Sequence, residues 1–227
     1  MNAVSEDLAA ARQTMVDCQL RTFDVSDLDV LARARTIPRE MFLPSRLRAL
    51  AYSDKAIAVG DGVERRTLLA PMVLARMIQD ASIGPQDNVL CIAGGWGYSA
   101  ALIAGLARQV ISLEDSKTHT DAATAAFARL GLENARAVTG RLAAGLTSSA
   151  PFDVILIEGA IETRPYGLML QLADQGRLLA IENLSDEVGA GRVVRFLKGN
   201  DVIGKQNLFN ASAPVLAEFA APRSFVF

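Results

Sequence analysis

Apolar and polar positions divide the chain into a helical beginning, a strand-and-helix middle and a hairpin end. Residues 6–20 carry Leu8, Ala11, Met15 and Cys18 at helical spacing, which predicts an amphipathic helix. Ser26 with Asp29 three residues on resembles a capping box for a second helix through Leu28, Leu31 and Ala32. Pro38 opens a short helical stretch over 39–42, and Pro44 ends it. Residues 51–64 contain Gly60 and Gly62 and little periodicity, so an irregular connection is expected there. Pro71 then suits a first helical position, with Val73, Leu74, Met77 and Ile78 as the apolar stripe behind it and Gly84-Pro85 as the stop.

The middle is organised around residues 89–98, Val-Leu-Cys-Ile-Ala-Gly-Gly-Trp-Gly-Tyr. An apolar run too short for a typical helix meets glycines and then the alanine-rich stretch 99–108, the pattern of a buried parallel strand turning tightly into a helix. A second strand is expected over 109–114 and a helix over 118–130, with Ala123, Ala126, Phe127 and Leu130 on one face and Gly131 as its stop. Strands over 135–139 and 152–158, a helix over 165–172 and a strand over 177–182 continue the alternation, which calls for a parallel sheet with right-handed crossovers. Residues 192–198, a Gly199-Asn200 turn and residues 201–208 read as an antiparallel hairpin.

Composition narrows the class. At 227 residues, 51% hydrophobic and mean hydropathy +0.24, the chain suits one α/β domain over 1–227, with a helical extension and connection over 1–68 and the core over 69–227. A formal charge of −2 and a pI near 5.5 leave no electrostatic footprint for nucleic acid. Cys18 and Cys91 have neither metal-ligand spacing nor a disulfide pattern, which points to a reducing compartment. No apolar run reaches bilayer length, and residues 1–10 carry acids where a signal peptide would be basic, so a cytoplasmic, membrane-free protein is expected. His119, the one histidine, is expected as a solvated surface residue.

The strand-to-helix turn carries the candidate chemistry. Backbone N–H groups at a helix start favour an anionic or polar ligand, and glycines let it approach the main chain. Glu114 follows about 20 residues on, the distance at which an acid in such folds meets ribose hydroxyls. Glycine-rich turns also serve close packing, but with this order of elements they suggest a nucleoside-containing cofactor. Glu158 and Glu162 fall at the carboxyl edge of the sheet, either facing a pocket or simply solvated.

Scattered agreement in order extends over nearly the whole chain: Met15-Val16, Gln19-Leu20-Arg21, Ile37-Pro38-Arg39-Glu40, Phe42-Leu43-Pro44, Tyr52, Asp54 and Ala70-Pro71 before the loop. After it come Ala150-Pro151-Phe152-Asp153, Pro165, Gln171-Leu172, Gly176-Arg177-Leu178 and Ala213-Pro214-Val215-Leu216. On these residues the sequence resembles the protein-L-isoaspartate O-methyltransferase family. The resemblance implies a seven-stranded, Rossmann-like methyltransferase sheet, S-adenosyl-L-methionine as donor, a damaged protein or peptide carboxylate as acceptor, and no metal.

It also implies where this chain departs. The family loop reads roughly acid-x-Gly-x-Gly-x-Gly; here Cys91 replaces the acid and Ala93 the first glycine, Gly95 and Gly97 are kept, and Gly94 and Trp96 fill the variable positions. Trp96 either covers the donor pocket or, the favoured expectation, occupies it, and Tyr98 is expected as a packing residue. Leu69 stands where the family has a serine that holds the acceptor, with Thr67 as a substitute only if the register shifts. Arg141 stands where an acid contacts the adenine amino group. Glu114 is kept at the ribose position, with Asp115 beside it, and Glu158 joins the candidate pocket. Two readings follow: an active protein carboxyl methyltransferase, or a lapsed homologue that has lost donor binding and serves as a binding or scaffold protein.

Overall fold

The computed structural model describes residues 3–60, 65–183, 191–200 and 202–222. Helix α1 (Ala3–Met15) runs into a π-helical turn, Val16–Leu20, so the single helix expected over 6–20 changes its winding where Val16 and Leu20 enter the core. Helix α2 (Leu28–Thr36) is capped by Asp27, whose carboxylate accepts from the N–H groups of Asp29 and Val30. The cap thus lies one residue beyond Ser26, whose own N–H donates to Gln79 Oε1 at 2.8 Å. The expected turn at Arg39–Phe42 is a 3-10 helix, and a second one, Ser45–Leu50, follows Pro44.

Part of the stretch expected as irregular is ordered by pairing. Strands β1 (Ile57–Val59) and β2 (Arg66–Leu68) are antiparallel, with Ile57 opposite Leu68. Three residues are too few for alternation to register in a sequence. Helix α3 (Pro71–Ala81) begins at Pro71 as expected, and it ends on Ser82 in the left-handed region, two residues before Gly84.

The main sheet is built from β3 (Asn88–Ile92), β4 (Gln109–Glu114), β5 (Ala135–Thr139), β6 (Phe152–Ile161), β7 (Leu172–Glu182), β8 (Arg192–Gly199) and β9 (Val202–Asn210), in the order β5-β4-β3-β6-β7-β8-β9. Pairs within β5-β4-β3-β6-β7 are parallel, while β8 is antiparallel to both neighbours. This is the mostly parallel α/β sheet with an antiparallel C-terminal end that the pattern predicted, with the seven strands that the resemblance implied. Gly199 pairs with Val202, so the hairpin turns one residue later than expected, at Asn200, which has φ 47°.

Two of the crossover helices are shorter than their sequence patterns. Helix α4 (Tyr98–Ile103) stops early because Arg33 reaches over from α2 to donate to the carbonyls of Ala101 and Leu102, at 2.9 and 3.1 Å. Helix α5 (Lys117–Leu130) ends as expected on Gly131. Helix α6 (Tyr166–Met169) has a single turn, because β7 already begins at Leu172.

Strand alternation feeds two cores. Val89 and Cys91 of β3, with Val154 and Leu156 of β6, face the layer of α1–α4, packing with Leu31, Leu74 and Met77. Leu90 and Ile92, with Ile155 and Ile157, face the other side with Leu142, Leu168 and Phe219. Each fully buried Val, Leu, Ile or Phe contributes about 1.5–3 kcal/mol before the entropy of ordering is set against it. His119 is buried within α5 rather than solvated. Among the described residues no helix is long and apolar enough to cross a membrane.

Candidate active site

The loop between β3 and α4 is held open by backbone geometry. Ala93, Gly95 and Gly97 all lie in the left-handed region, at φ 62°, 69° and 86°. For Ala93 this conformation costs on the order of 1 kcal/mol. Its side is nevertheless settled: Ala93 is fully buried in the second core, and its N–H donates to Leu113 O at 3.1 Å. A Cβ on Gly97 would come within 2.7 Å of the Phe127 ring, and one on Gly94 within 2.5 Å of Glu158 Oε1. Both glycines are therefore places of close approach.

Two buried carboxylates flank the loop. Glu114, at the end of β4, accepts from Gly95 N at 2.6 Å and from Arg66 Nε at 3.2 Å. The same guanidinium also bonds Asp115, so Arg66 ties β2 to the end of β4. Burial, with Glu158 nearby, pushes Glu114 up to about 8 against the opposing pull of Arg66 and the Gly95 N–H. Glu158, in β6, accepts from the Ser99 hydroxyl through Oε1. Its Oε2 has no hydrogen-bond partner among the described residues. Burial pushes Glu158 up to about 7, while Ser99 and the more distant charge of Arg39 act against the rise.

A cavity of about 420 Å³ opens at this carboxyl edge, bordered by Arg65, Arg66 and Thr67 on the β2 side, by Asp115, Leu142 and Glu158, and by residues 214–218. The last segment is laid down by β6, where Ala160 N donates to Pro214 O and Leu216 N to Ala160 O, both at 3.0 Å. Glu218 then accepts from the N–H groups of Leu142 and Ala143 at 2.9 and 3.2 Å.

A match to the family model described as protein-L-isoaspartate(D-aspartate) O-methyltransferase spans residues 11–207. The chain belongs to that family. It is 39% identical to the protein-L-isoaspartate O-methyltransferase of Koribacter versatilis, over 85% of this chain and 86% of that one. It is 36% identical to protein-L-isoaspartate O-methyltransferase 1 of Rhodopseudomonas palustris, over 86% and 79%. A solved protein-L-isoaspartate O-methyltransferase superposes with TM-score 0.79 at 26% identity, over 90% of this chain and 65% of that chain. A Plasmodium falciparum protein solved in complex with S-adenosyl-L-homocysteine shares the fold, with TM-score 0.76 at 18% identity, over 91% and 98%.

Among the site residues expected from the sequence, the structure brings Gly94, Gly95, Glu114 and Glu158 together and places Thr67 on the cavity wall. Others stand apart from it. Leu69 is buried in the first core, contributing only its carbonyl, which accepts from Arg39 Nη2 at 2.7 Å. Cys91 is fully buried in the same core, its thiol pushed well above the ordinary range by burial and by Glu158. Trp96, expected in the pocket, instead packs half-buried against that core and does not border the cavity. Arg141 is 84% exposed, in a loose 3.7 Å ion pair with Glu218. Glu162 accepts from Ala221 N at 2.8 Å, and Tyr98 packs against Phe42 beneath the Arg39 guanidinium.

Arg66, Ser99, Arg39 and Glu218 escape a reading of the sequence. Arg66 lies in the short β2, facing inward with Leu68, and three residues are too few for that alternation to be read from the sequence. The other three act through contacts 12 to 76 residues away in the chain, which no local pattern encodes.

Proposed function

We propose that this member of the family is an S-adenosyl-L-methionine-dependent protein carboxyl methyltransferase acting on isoaspartyl or related damaged carboxylates. The observation that carries the reading is the cavity at the carboxyl edge of a parallel sheet, bordered by Glu158 and by the Arg66-Asp115 pair that adjoins Glu114. Its volume lies within the range for small-molecule sites, roughly 300–1,000 Å³.

The residues present fit that donor. Each Glu114 oxygen holds one hydrogen bond and has a lone pair left for a ribose hydroxyl. The loop glycines allow close backbone approach, and Glu158 supplies an anion on the opposite side of β3. When bound, the donor supplies a methyl group on a sulfonium, ready for in-line attack by a carboxylate oxygen. This chain's part is to align the partners and exclude water, because charge is neutralised as the methyl group moves. With Leu69 withdrawn into the core, Thr67 and Arg65 are the cavity-wall groups able to donate to the acceptor carboxylate. Residues 214–218 close the other side.

Calorimetric titration with S-adenosyl-L-methionine is expected to show affinity in the micromolar range, and transfer of labelled methyl to an isoaspartyl peptide should follow. No heat at millimolar ligand would overturn the reading in favour of a lapsed homologue.

A further inference from the structure

Glu158 presents something that its neighbours do not satisfy. Its side chain is 1% exposed and borders the cavity, Oε1 is held by Ser99, and Oε2 has no hydrogen-bond partner among the described residues. A buried carboxylate oxygen with no donor is costly, and native proteins keep few of them. The groups facing it come from four elements: Ser99 of α4, the neutral Cys91 of β3, Glu114 of β4, and Arg39 of the 3-10 turn. Arg39 lends positive charge but spends its Nε and Nη2 on the carbonyls of Ala51 and Leu69. None of these donates to Oε2.

The missing partner must be a donor and should be a cation. In the donor proposed above, the ribose hydroxyls match Glu114, and the sulfonium carries no N–H or O–H. The ammonium of the amino-acid end has both the charge and the hydrogens. We infer that Glu158 Oε2 accepts a hydrogen bond from that ammonium, with Ser99 turning the carboxylate towards it. The inference rests on the donor reading, and it names the residue that tells a full donor from a truncated one.

The test compares two ligands by calorimetry at about pH 8.5: S-adenosyl-L-homocysteine, which has the ammonium, and 5′-methylthioadenosine, which lacks the whole amino-acid end. Glu158→Gln keeps the shape and the acceptor for Ser99 but loses the charge. It should weaken S-adenosyl-L-homocysteine about ten-fold or more and leave 5′-methylthioadenosine within about two-fold. Removing an anion would by itself favour the ligand's carboxylate, so a selective loss can only come from the ammonium. Equal losses for both ligands, or no loss for either, overturn the inference and leave the donor reading standing. If the unaltered protein binds neither ligand, both fall.

A second measurement needs no variant. As pH is lowered from about 8.5 to about 5.5, Glu158 gains a proton, and the affinity for S-adenosyl-L-homocysteine should fall more than that for 5′-methylthioadenosine. Protonation of Glu114 would act on both ligands alike, so the difference between them isolates Glu158. Parallel pH profiles would overturn the assignment.

Discussion

Strands β4 and β6 lie on either side of β3, and each brings a buried carboxylate to the loop, yet the two carboxylates live in different circumstances. Glu114 is matched on both oxygens, by a backbone N–H and a guanidinium, and so fastens the loop and β2 to the sheet. Glu158 is matched on one. The comparison separates a carboxylate held to the chain through both oxygens, each with a lone pair to spare, from one with an oxygen that has no partner among the described residues. A buried acid bonded through both oxygens adds structure even where it can still accept from a ligand, whereas one short of a donor marks where binding energy can be gained.

The harshest way to break the comparison is to strip Glu114 of its cation. At about pH 9, where Glu114 is ionised, Arg66→Met should cost about 3–5 kcal/mol in urea denaturation, because it leaves a buried charge without compensation, and adding Glu114→Gln should recover much of that loss. A cost below about 1 kcal/mol would mean that the pair does not fasten β2. Next comes Gly94→Ala, whose methyl group would crowd Glu158 Oε1 and Ser99 Oγ. A cost of about 1–3 kcal/mol is expected, read as a lower melting temperature together with weakened donor binding.

Glu158→Gln should do the reverse to the free protein. At about pH 8.5 the carboxylate is held ionised although burial raises it from 4.5 to about 7, so removing its charge should stabilise the free chain by on the order of 1–3 kcal/mol. Unfolded, the group loses its proton near 4.5; folded, it keeps it to about 7. The native state therefore binds the extra proton between those values. Stability from this group is full below 4.5 and is lost as pH rises through about 7, with Glu114 extending the loss to about 8. Melting temperature should accordingly be higher at about pH 5.5 than at about pH 8.5, and the slope should flatten in Glu158→Gln. A slope unchanged by the variant would show that Glu158 is not raised. The smallest effect is the surface control: Lys117→Ala removes an exposed pair with Asp121 and should cost no more than about 0.5 kcal/mol.

How far the fold was legible follows from where its information lies. Residues 109–114 were bounded correctly because a buried parallel strand is a short apolar run between turn residues, whereas the edge strand 135–139, half-exposed along its length, was delimited by its neighbours in the alternation. The lengths of α4 and α6 were not, since Arg33 and the early start of β7 cut them short from outside the local window. At the site, Glu114 and Gly95 came from spacing that reflects one strand-turn-helix-strand unit. Trp96, expected to cover or occupy the pocket, lies against the core, and Leu69, expected only as a residue unable to hydrogen-bond at the family's serine position, is buried there: an apolar side chain beside a pocket and one beside a core have the same local sequence, and only packing tells them apart.

The sequence by itself determined the order of the elements, the alternation that feeds two cores, the family, and the acid that meets the loop from the neighbouring strand. These follow from periods of two and 3.6 residues and from fixed spacing within one unit of the chain. The tertiary structure alone decided that Arg66 would close on Glu114, that Ser99 would take one oxygen of Glu158, and that the other oxygen would find no donor among the described residues. Those outcomes depend on atoms brought together from 48 and 59 residues apart, where burial in a medium of low polarity turns a single unmade hydrogen bond into a determinant of binding.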